Sequence, residues 1–365
     1  MKLNQRTTKL HRFADRYVGV PLIFLPSLYK AKREKPSDIK RICIVKTSGI
    51  GDTVLVSPVV KDLFDFYPEA NITFIAGDKN FMASRFLLSS YEERIEFEFV
   101  DYKDFNTISA LRDFDEFDLL IDFGQWPRFD AFVSMIIKSK FRIGFKRARQ
   151  YRHYSYDMSV EHRSDRHELN NFRSLVECLG VYCLHSPLVD NFTNNWPGSF
   201  DETICVHICA SGSTAEYRMW SPEKWTELCL LIEGLGYNVV LTGTSAEKEY
   251  LETIASYAGI GNDNILLDMP FDYLARIYRD CKAVVSIDTG IAHFAAASGA
   301  KLIEILGPTN PDRWGALGED VTYVLPNRVD CMLDLGFERH ADKEAIKRVT
   351  VQQVLQHIEI DLESL

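Results

Sequence analysis

Two glycine signatures are missing from this chain, and their absence sets the first limits. No strand-like run leads into Gly-x-Gly-x-x-Gly, and no Walker-type Gly-Lys-Ser/Thr occurs. Backbone cradles for a dinucleotide pyrophosphate or for nucleotide hydrolysis depend on those glycines, so nicotinamide-dependent oxidoreductases and nucleotide hydrolases lose their main support. Cysteine is thinly spread. Of the eight, Cys43, Cys205, Cys209, Cys229 and Cys281 fall inside strand or helix patterns, which reads as buried free thiols in a reducing compartment rather than a disulfide framework. Cys205, His207 and Cys209 share one strand face without a fourth ligand. A strand buried on both sides explains that pattern, and no metal is expected. Positive charge is also in deficit, and a net charge of −10 argues against nucleic acid as a partner.

The apolar run Val18 to Tyr29 is broken by Pro21 and Pro26 and is too short to span a bilayer. No small-residue cleavage site follows it, so it is not read as a signal peptide. Its setting is basic. Residues 1–41 carry eleven Lys and Arg against three acids, a local charge of +8 that leaves −18 for the remainder. Apolar residues flanked by cations fit shallow insertion into an anionic membrane surface. They equally fit a segment packed on the body of the protein with its basic flanks in water.

At 365 residues the chain is long enough for two domains. Arg41 to Lys46 reads as a buried parallel strand, Thr47 to Asp52 as the turn after it, and Thr53 to about Phe66 as a helix. Strand and helix patterns then alternate as far as a strand at Arg142 to Phe145, which predicts a parallel sheet with helices on both faces. Residues 147–168, rich in Arg, His and Tyr, read as a loop before a helix at Glu168 to Leu179. A polar, breaker-rich stretch over 186–202 reads as a linker. Beyond it, a second alternating series opens with the strand Thr203 to Ile208. Ser221-Pro222-Glu223 starts a capped helix that ends before Gly236, and Thr350 to Gln353 is a capping box for a final helix.

The most telling stretch of the second series is Val284 to Ala297. A β-branched run ends in Asp288-Thr289-Gly290 and passes directly into small, helix-forming residues. A helix start offers unpaired N–H groups and a positive dipole end, which suit a phosphate. His293, about one turn beyond Gly290, would add a ring donor. The same residues also read as a capped turn beside a core histidine, and spacing alone leaves both open.

Ile50-Gly51-Asp52-Thr53 with Pro58, Trp220-Ser221-Pro222-Glu223, Asp288-Thr289-Gly290-Ile291-Ala292-His293 and Gly307-Pro308-Thr309-Asn310-Pro311, taken together and in order, resemble the family 9 glycosyltransferases, the ADP-heptose:lipopolysaccharide heptosyltransferases. The resemblance implies an α/β fold of the GT-B type: two facing, doubly wound Rossmann-like domains with a C-terminal helix crossing back. It divides the chain into a basic and apolar N-terminal segment (1–40), an acceptor-binding domain (41–185), the linker (186–202), a nucleotide-sugar-binding domain (203–335) and the C-terminal helix region (336–365). It also implies an inverting transfer of a heptose or related sugar from an ADP-sugar to a hydroxyl of a lipopolysaccharide core or other surface glycan.

Such a transfer needs a carboxylate to take the hydroxyl proton, and cations or N–H groups to receive the charge on the departing diphosphate. Asp52 matches the family's catalytic aspartate, with Gly49 and Gly51 on the acceptor side. Arg218 stands where the family has a lysine that reaches the diphosphate, and an arginine can grip phosphate bidentately. Ser211, Gly212, Ser213, Asp288, Thr289, Gly290 and His293 complete the implied donor site, with Glu247 near the ribose and Met269 near the base. No cofactor and no metal are implied. The expected partners are the nucleotide sugar and a glycolipid or glycan, with the anionic membrane surface as a further one, in a cytoplasmic protein at or near the inner face of the membrane. Acceptor identity, the exact sugar and oligomeric state stay open, although the basic segment Lys146 to His167 and the tail 330–347 are where acceptor choice is expected to lie. Two alternatives are the same fold using another nucleotide sugar, and a non-catalytic nucleotide-sugar-binding protein. A carboxylate retained at Asp52 speaks for catalysis.

Overall fold

The computed structural model describes residues 17–28, 33–125, 128–148, 150–192, 199–212, 215–327, 342 and 344–359. Two compact units divide between Ser186 and Pro187, at the start of the segment expected as a linker. Residues 193–198 of that segment lie outside the described residues. Its beginning is tied to the second unit, where the Val189 N–H donates to the Ala297 carbonyl at 2.7 Å.

The first unit is built on strands β1 (Arg41–Val45), β2 (Asn71–Ala76), β3 (Ile95–Phe99), β4 (Phe117–Asp122), β5 (Ser139–Lys146) and β6 (Met158–Glu161), in the order β3-β2-β1-β4-β5-β6. The second uses β7 (Thr203–His207), β8 (Asn238–Gly243), β9 (Ile265–Leu267), β10 (Ala283–Ile287), β11 (Leu302–Ile305) and β12 (Val321–Val324), in the order β12-β11-β10-β7-β8-β9. Read from its other edge, the second order repeats the first. Every neighbouring pair is parallel. Each unit is thus a doubly wound, Rossmann-like sheet whose strand order reverses between β1 and β4 in one and between β7 and β10 in the other. In such sheets ligands bind beyond the carboxyl ends of the strands at that reversal.

The central strands are buried on both faces, which is why they read as unbroken apolar runs. Ile42, Cys43, Ile44 and Val45 are wholly inaccessible, as are Val284, Val285 and Ile287 of β10. The edge strands β6 and β12 were not anticipated from the sequence. β6 is Met-Ser-Val-Glu with no buried residue, so it lacks the apolar run that identifies the inner strands. Part of the segment 147–168 is therefore sheet rather than loop.

A second difference concerns the first helix of the first unit. It starts at Ile50, not Thr53, because Gly49, at φ +89°, turns the chain directly into it. Asp52 consequently lies inside the first turn instead of preceding the helix. Pro58 sits within the same helix and cannot donate to the Val54 carbonyl; the Ser57 hydroxyl donates to it instead, at 2.9 Å. In the second unit, Val351, Val354, Leu355 and Ile358 of the helix Val351–Glu359 join the hydrophobic core, and the Thr350–Gln353 capping box forms in both directions.

Candidate active site

At the reversal point of the first sheet a lysine ends a strand of apolar residues. The Lys46 side chain is only 2% exposed, and its Nζ lies 2.8 Å from Asp52 Oδ2. The same ammonium donates to Gln125 Oε1 at 2.7 Å, from the loop after β4, and stands 5.9 Å from the centre of the Phe172 ring. A cation buried this deeply requires a paired anion. Asp52 supplies the anion while its own side chain stays 22% exposed, so the carboxylate is held from beneath and open above. It does not cap its helix by a side-chain hydrogen bond.

The loop is knitted on all sides. Asn80 Nδ2 donates to the Lys46 carbonyl at 2.9 Å and to Thr53 Oγ1 at 3.0 Å, and Thr53 Oγ1 donates to the Gly49 carbonyl at 2.8 Å. Gly49 is required twice over: its φ is positive, and a Cβ there would come within 2.8 Å of Asp52 Oδ2. Gly51 is buried in the first turn.

Below this loop lies a second charged layer. Asp122 accepts from Arg152 Nη2 at 2.9 Å, with both side chains wholly buried, and from the Tyr156 hydroxyl. Asp130 accepts from Thr47 Oγ1. Burial, and then the neighbouring Asp122 carboxylate, push the Asp130 carboxyl up to about 6. Two cations, Lys46 and Arg152, face three carboxylates here, so a proton on Asp130 brings the cluster to neutrality. Arg152, within the segment expected as a loop, belongs to the core. Elsewhere in that segment Arg147, Ala148, Glu161, His162, Arg163, Ser164 and Asp165 line a surface hollow of about 330 Å³.

At the reversal point of the second sheet the cation and the carboxylate are about equally accessible, Arg218 at 16% and Asp288 at 14%. Arg218 Nη1 donates to the Asp288 carbonyl at 2.7 Å and Nη2 to the Ser211 carbonyl at 2.6 Å, so one guanidinium braces the loops after β7 and β10. Its Nη1 also lies 3.7 Å from Asp288 Oδ1. Thr309 Oγ1 donates to Asp288 Oδ2 at 2.5 Å, which brings the Gly307–Pro311 stretch to the same edge. Gly307 is needed for close packing, because a Cβ there would meet Ile346 Cβ at 2.8 Å. Thr289 caps the helix Gly290–Ala297 by accepting from the Ile291 N–H. His293 lies one turn in and is buried.

Ser211 and Gly212 are exposed, and Gly212 has φ +92°; Ser213 lies outside the described residues. Glu247 Oε2 accepts from the Thr244 N–H at 2.8 Å and its hydroxyl at 2.9 Å, a capping box. Met269 is half-buried next to Asp268, whose carboxylate accepts from the Ser245 N–H at 3.1 Å. The Glu247 and Met269 loops, after β8 and β9, are thereby tied together on the same edge as Asp288. His207, under them, meets Thr242 Oγ1 at 3.1 Å, and burial pushes its ring down to about 4. Among the described residues no three His, Cys, Asp or Glu side chains gather as a metal site would require.

Asp52 stands on the edge of the first sheet and Arg218 with Asp288–His293 on that of the second; around Asp52 the structure adds Lys46, Gln125 and Asn80, to which the sequence pattern assigns no such place. For Lys46 a signal existed. A lysine closing the run Ile42-Cys43-Ile44-Val45, just before a glycine turn with an aspartate, marks a buried cation in need of an anion.

The profile of glycosyltransferase family 9 (heptosyltransferase) matches residues 110–343, a span that contains Arg218 and Asp288 and begins after Asp52. A relative named lipopolysaccharide core heptosyltransferase OpsX, from Haemophilus influenzae, is 24% identical over 289 residues, 75% of this chain and 81% of its own length. Lipopolysaccharide heptosyltransferase 1 of Escherichia coli (strain K12) is 30% identical over 135 residues, 36% of this chain and 40% of its own. Among solved structures, E. coli heptosyltransferase WaaC with ADP superposes with a TM-score of 0.66 at 21% identity, over 88% of this chain and 99% of that one. A family 9 glycosyltransferase from Veillonella parvula gives 0.68 at 16%, over 92% of this chain and 100% of that one. With more than half of its length matched by one family profile and the fold shared with these structures, the chain belongs to glycosyltransferase family 9, the heptosyltransferases.

Proposed function

We propose that the protein moves a heptose from ADP-heptose to a hydroxyl of a lipopolysaccharide core or related surface glycan, with inversion at the anomeric carbon. The observation that carries this reading is what each sheet edge offers: a partly exposed carboxylate fixed by a buried lysine on one, and an arginine bracing two loops beside a capped helix N-terminus on the other. Asp52 takes the proton of the attacking hydroxyl as the new glycosidic bond forms. The bond from the anomeric carbon to the diphosphate breaks on the opposite face, and ADP leaves with the electron pair. Arg218 and the N–H groups at the start of the helix Gly290–Ala297 stabilise the charge that develops there. Glu247 and Met269 lie on the nucleoside side.

ADP is favoured as the nucleotide because a fold relative has been solved with it and the curated relatives are named as heptosyltransferases. The reaction uses no resident metal, since the leaving-group charge is met by Arg218 and backbone donors. A thermal-shift panel of ADP, UDP, GDP and CMP tests the donor class. ADP alone is expected to raise the melting temperature by mass action, and a shift from another nucleotide with none from ADP overturns the assignment. Turnover is expected to survive chelation by EDTA.

A further inference from the structure

The helix Gly19–Ser27 and its two ends form an apolar face that, among the described residues, nothing in the first unit covers. Of this stretch, Ile23 alone is buried; it packs with Ala131 and Tyr156, half-buried Met135 and Tyr154 lying against them, and Phe24 meets Tyr154 ring to ring at 5.0 Å. The helix is therefore fastened to the body. On its other side Val18, Leu22 and Leu25, spaced i, i+4 and i+7, are 54%, 47% and 58% exposed, and Leu28 is 61% exposed. No charged residue occurs between Tyr17 and Tyr29, and the Ser27 hydroxyl is turned back onto the Phe24 carbonyl at 2.6 Å. Six large apolar side chains from Tyr17 to Leu28 thus face solvent together, the kind of patch that marks a binding surface.

Its occupant is indicated by the charge on either side. Arg33 and Lys35 are engaged with the body, through the Asp157 carboxylate and the Leu179 carbonyl. Residues 1–32 still hold seven Lys and Arg against one acid, Asp15. Two copies meeting through this face would set those charges against each other, whereas an anionic surface would be attracted to them. A nine-residue helix is about 14 Å long, under half of a bilayer's hydrocarbon thickness, and among the described residues no helix is long and apolar enough to cross a membrane. We infer that this face lies flat in the interface of an anionic phospholipid membrane, with Val18, Leu22, Leu25 and Leu28 inserted, the positive charge that the sequence carries on either side selecting an anionic surface. Such an attachment holds the first unit at a lipid surface. It stands independently of the transfer reaction proposed above.

Flotation of the full chain with vesicles tests it, comparing phosphatidylcholine alone with phosphatidylcholine containing about one-third phosphatidylglycerol. The chain is expected to float with the anionic vesicles only, and to be released by high salt. Leu22→Asp with Leu25→Asp is expected to weaken binding by at least about tenfold, with the melting temperature unchanged because both side chains are exposed. No binding by the intact chain, or equal binding by the double variant, overturns the inference. So does lipid-free self-association that the double variant abolishes, which would identify a second copy as the occupant. Loss of transfer without loss of flotation would count against the proposed reaction and leave the membrane surface standing.

Discussion

The loops at the two reversal points occupy equivalent places in sheets of the same strand order, yet they hold their charges differently: unequally accessible in the first, about equally in the second, where Arg218 is 16% and Asp288 14% exposed. In the first, the cation is buried and the carboxylate exposed: Lys46 is 2% accessible and Asp52 22%. In the second, the Asp288 carboxylate is turned toward Thr309 and Arg218, beside a helix start capped by Thr289. The helix entries differ accordingly. Gly49 enters without a side-chain cap, because a Cβ would displace Asp52, while Thr289 spends its hydroxyl on the Ile291 N–H. Equivalent positions in one architecture can thus be given different chemistry, since the sheet supplies only the place and the loop residues supply the charge; the proposed reaction assigns proton removal to the first and anion stabilisation to the second.

Substitutions can break that contrast at each point. The largest effect is expected from Asp52→Ala, which removes the proposed proton acceptor and should lower transfer by about a thousandfold in a coupled assay of ADP release. Lys46→Met should follow. It leaves the carboxylate in place but unsupported, and kcat should fall by about tenfold to a hundredfold with little change in the donor KM. A proportional rise in KM instead would move Lys46 into donor binding. Arg218→Ala should weaken ADP binding by about tenfold, with Arg218→Lys intermediate because a lysine cannot reach the Ser211 and Asp288 carbonyls together.

The smallest effect concerns Asp130. Its folded carboxyl is raised from an ordinary 3.8 to about 6, so the folded state binds more protons than the unfolded one between those values. Stability should therefore fall as pH rises through that window. Asp130→Asn, which cannot ionise, should melt a few degrees above the parent at pH 8 and show no gain at pH 4. An equal gain at both pH values would contradict the charge argument.

Much of the fold was legible because the inner strands are buried on both faces and the glycines mark their turns. The edges were not, since β6 exposes polar residues and lacks the apolar signal. At the candidate site, the turn at Asp52 and the helix start at Asp288–His293 stand out in the sequence because turn and helix-start chemistry is local. Lys46–Gln125 and Thr47–Asp130 span 79 and 83 residues, and which side chains meet over such distances is decided by the strand order. Arg152 illustrates the same limit: its segment reads as a loop, and only the fold brings it to Asp122, at the end of a strand 30 residues earlier, inside the core.

The division of labour between the two loops is tested most directly by calorimetric titration of ADP into Asp52→Ala and Arg218→Ala side by side. Asp52→Ala should bind ADP within about twofold of the parent, while Arg218→Ala should lose about tenfold. Comparable loss in both variants, or loss in Asp52→Ala alone, would contradict the assignment of the base to one edge and the leaving group to the other.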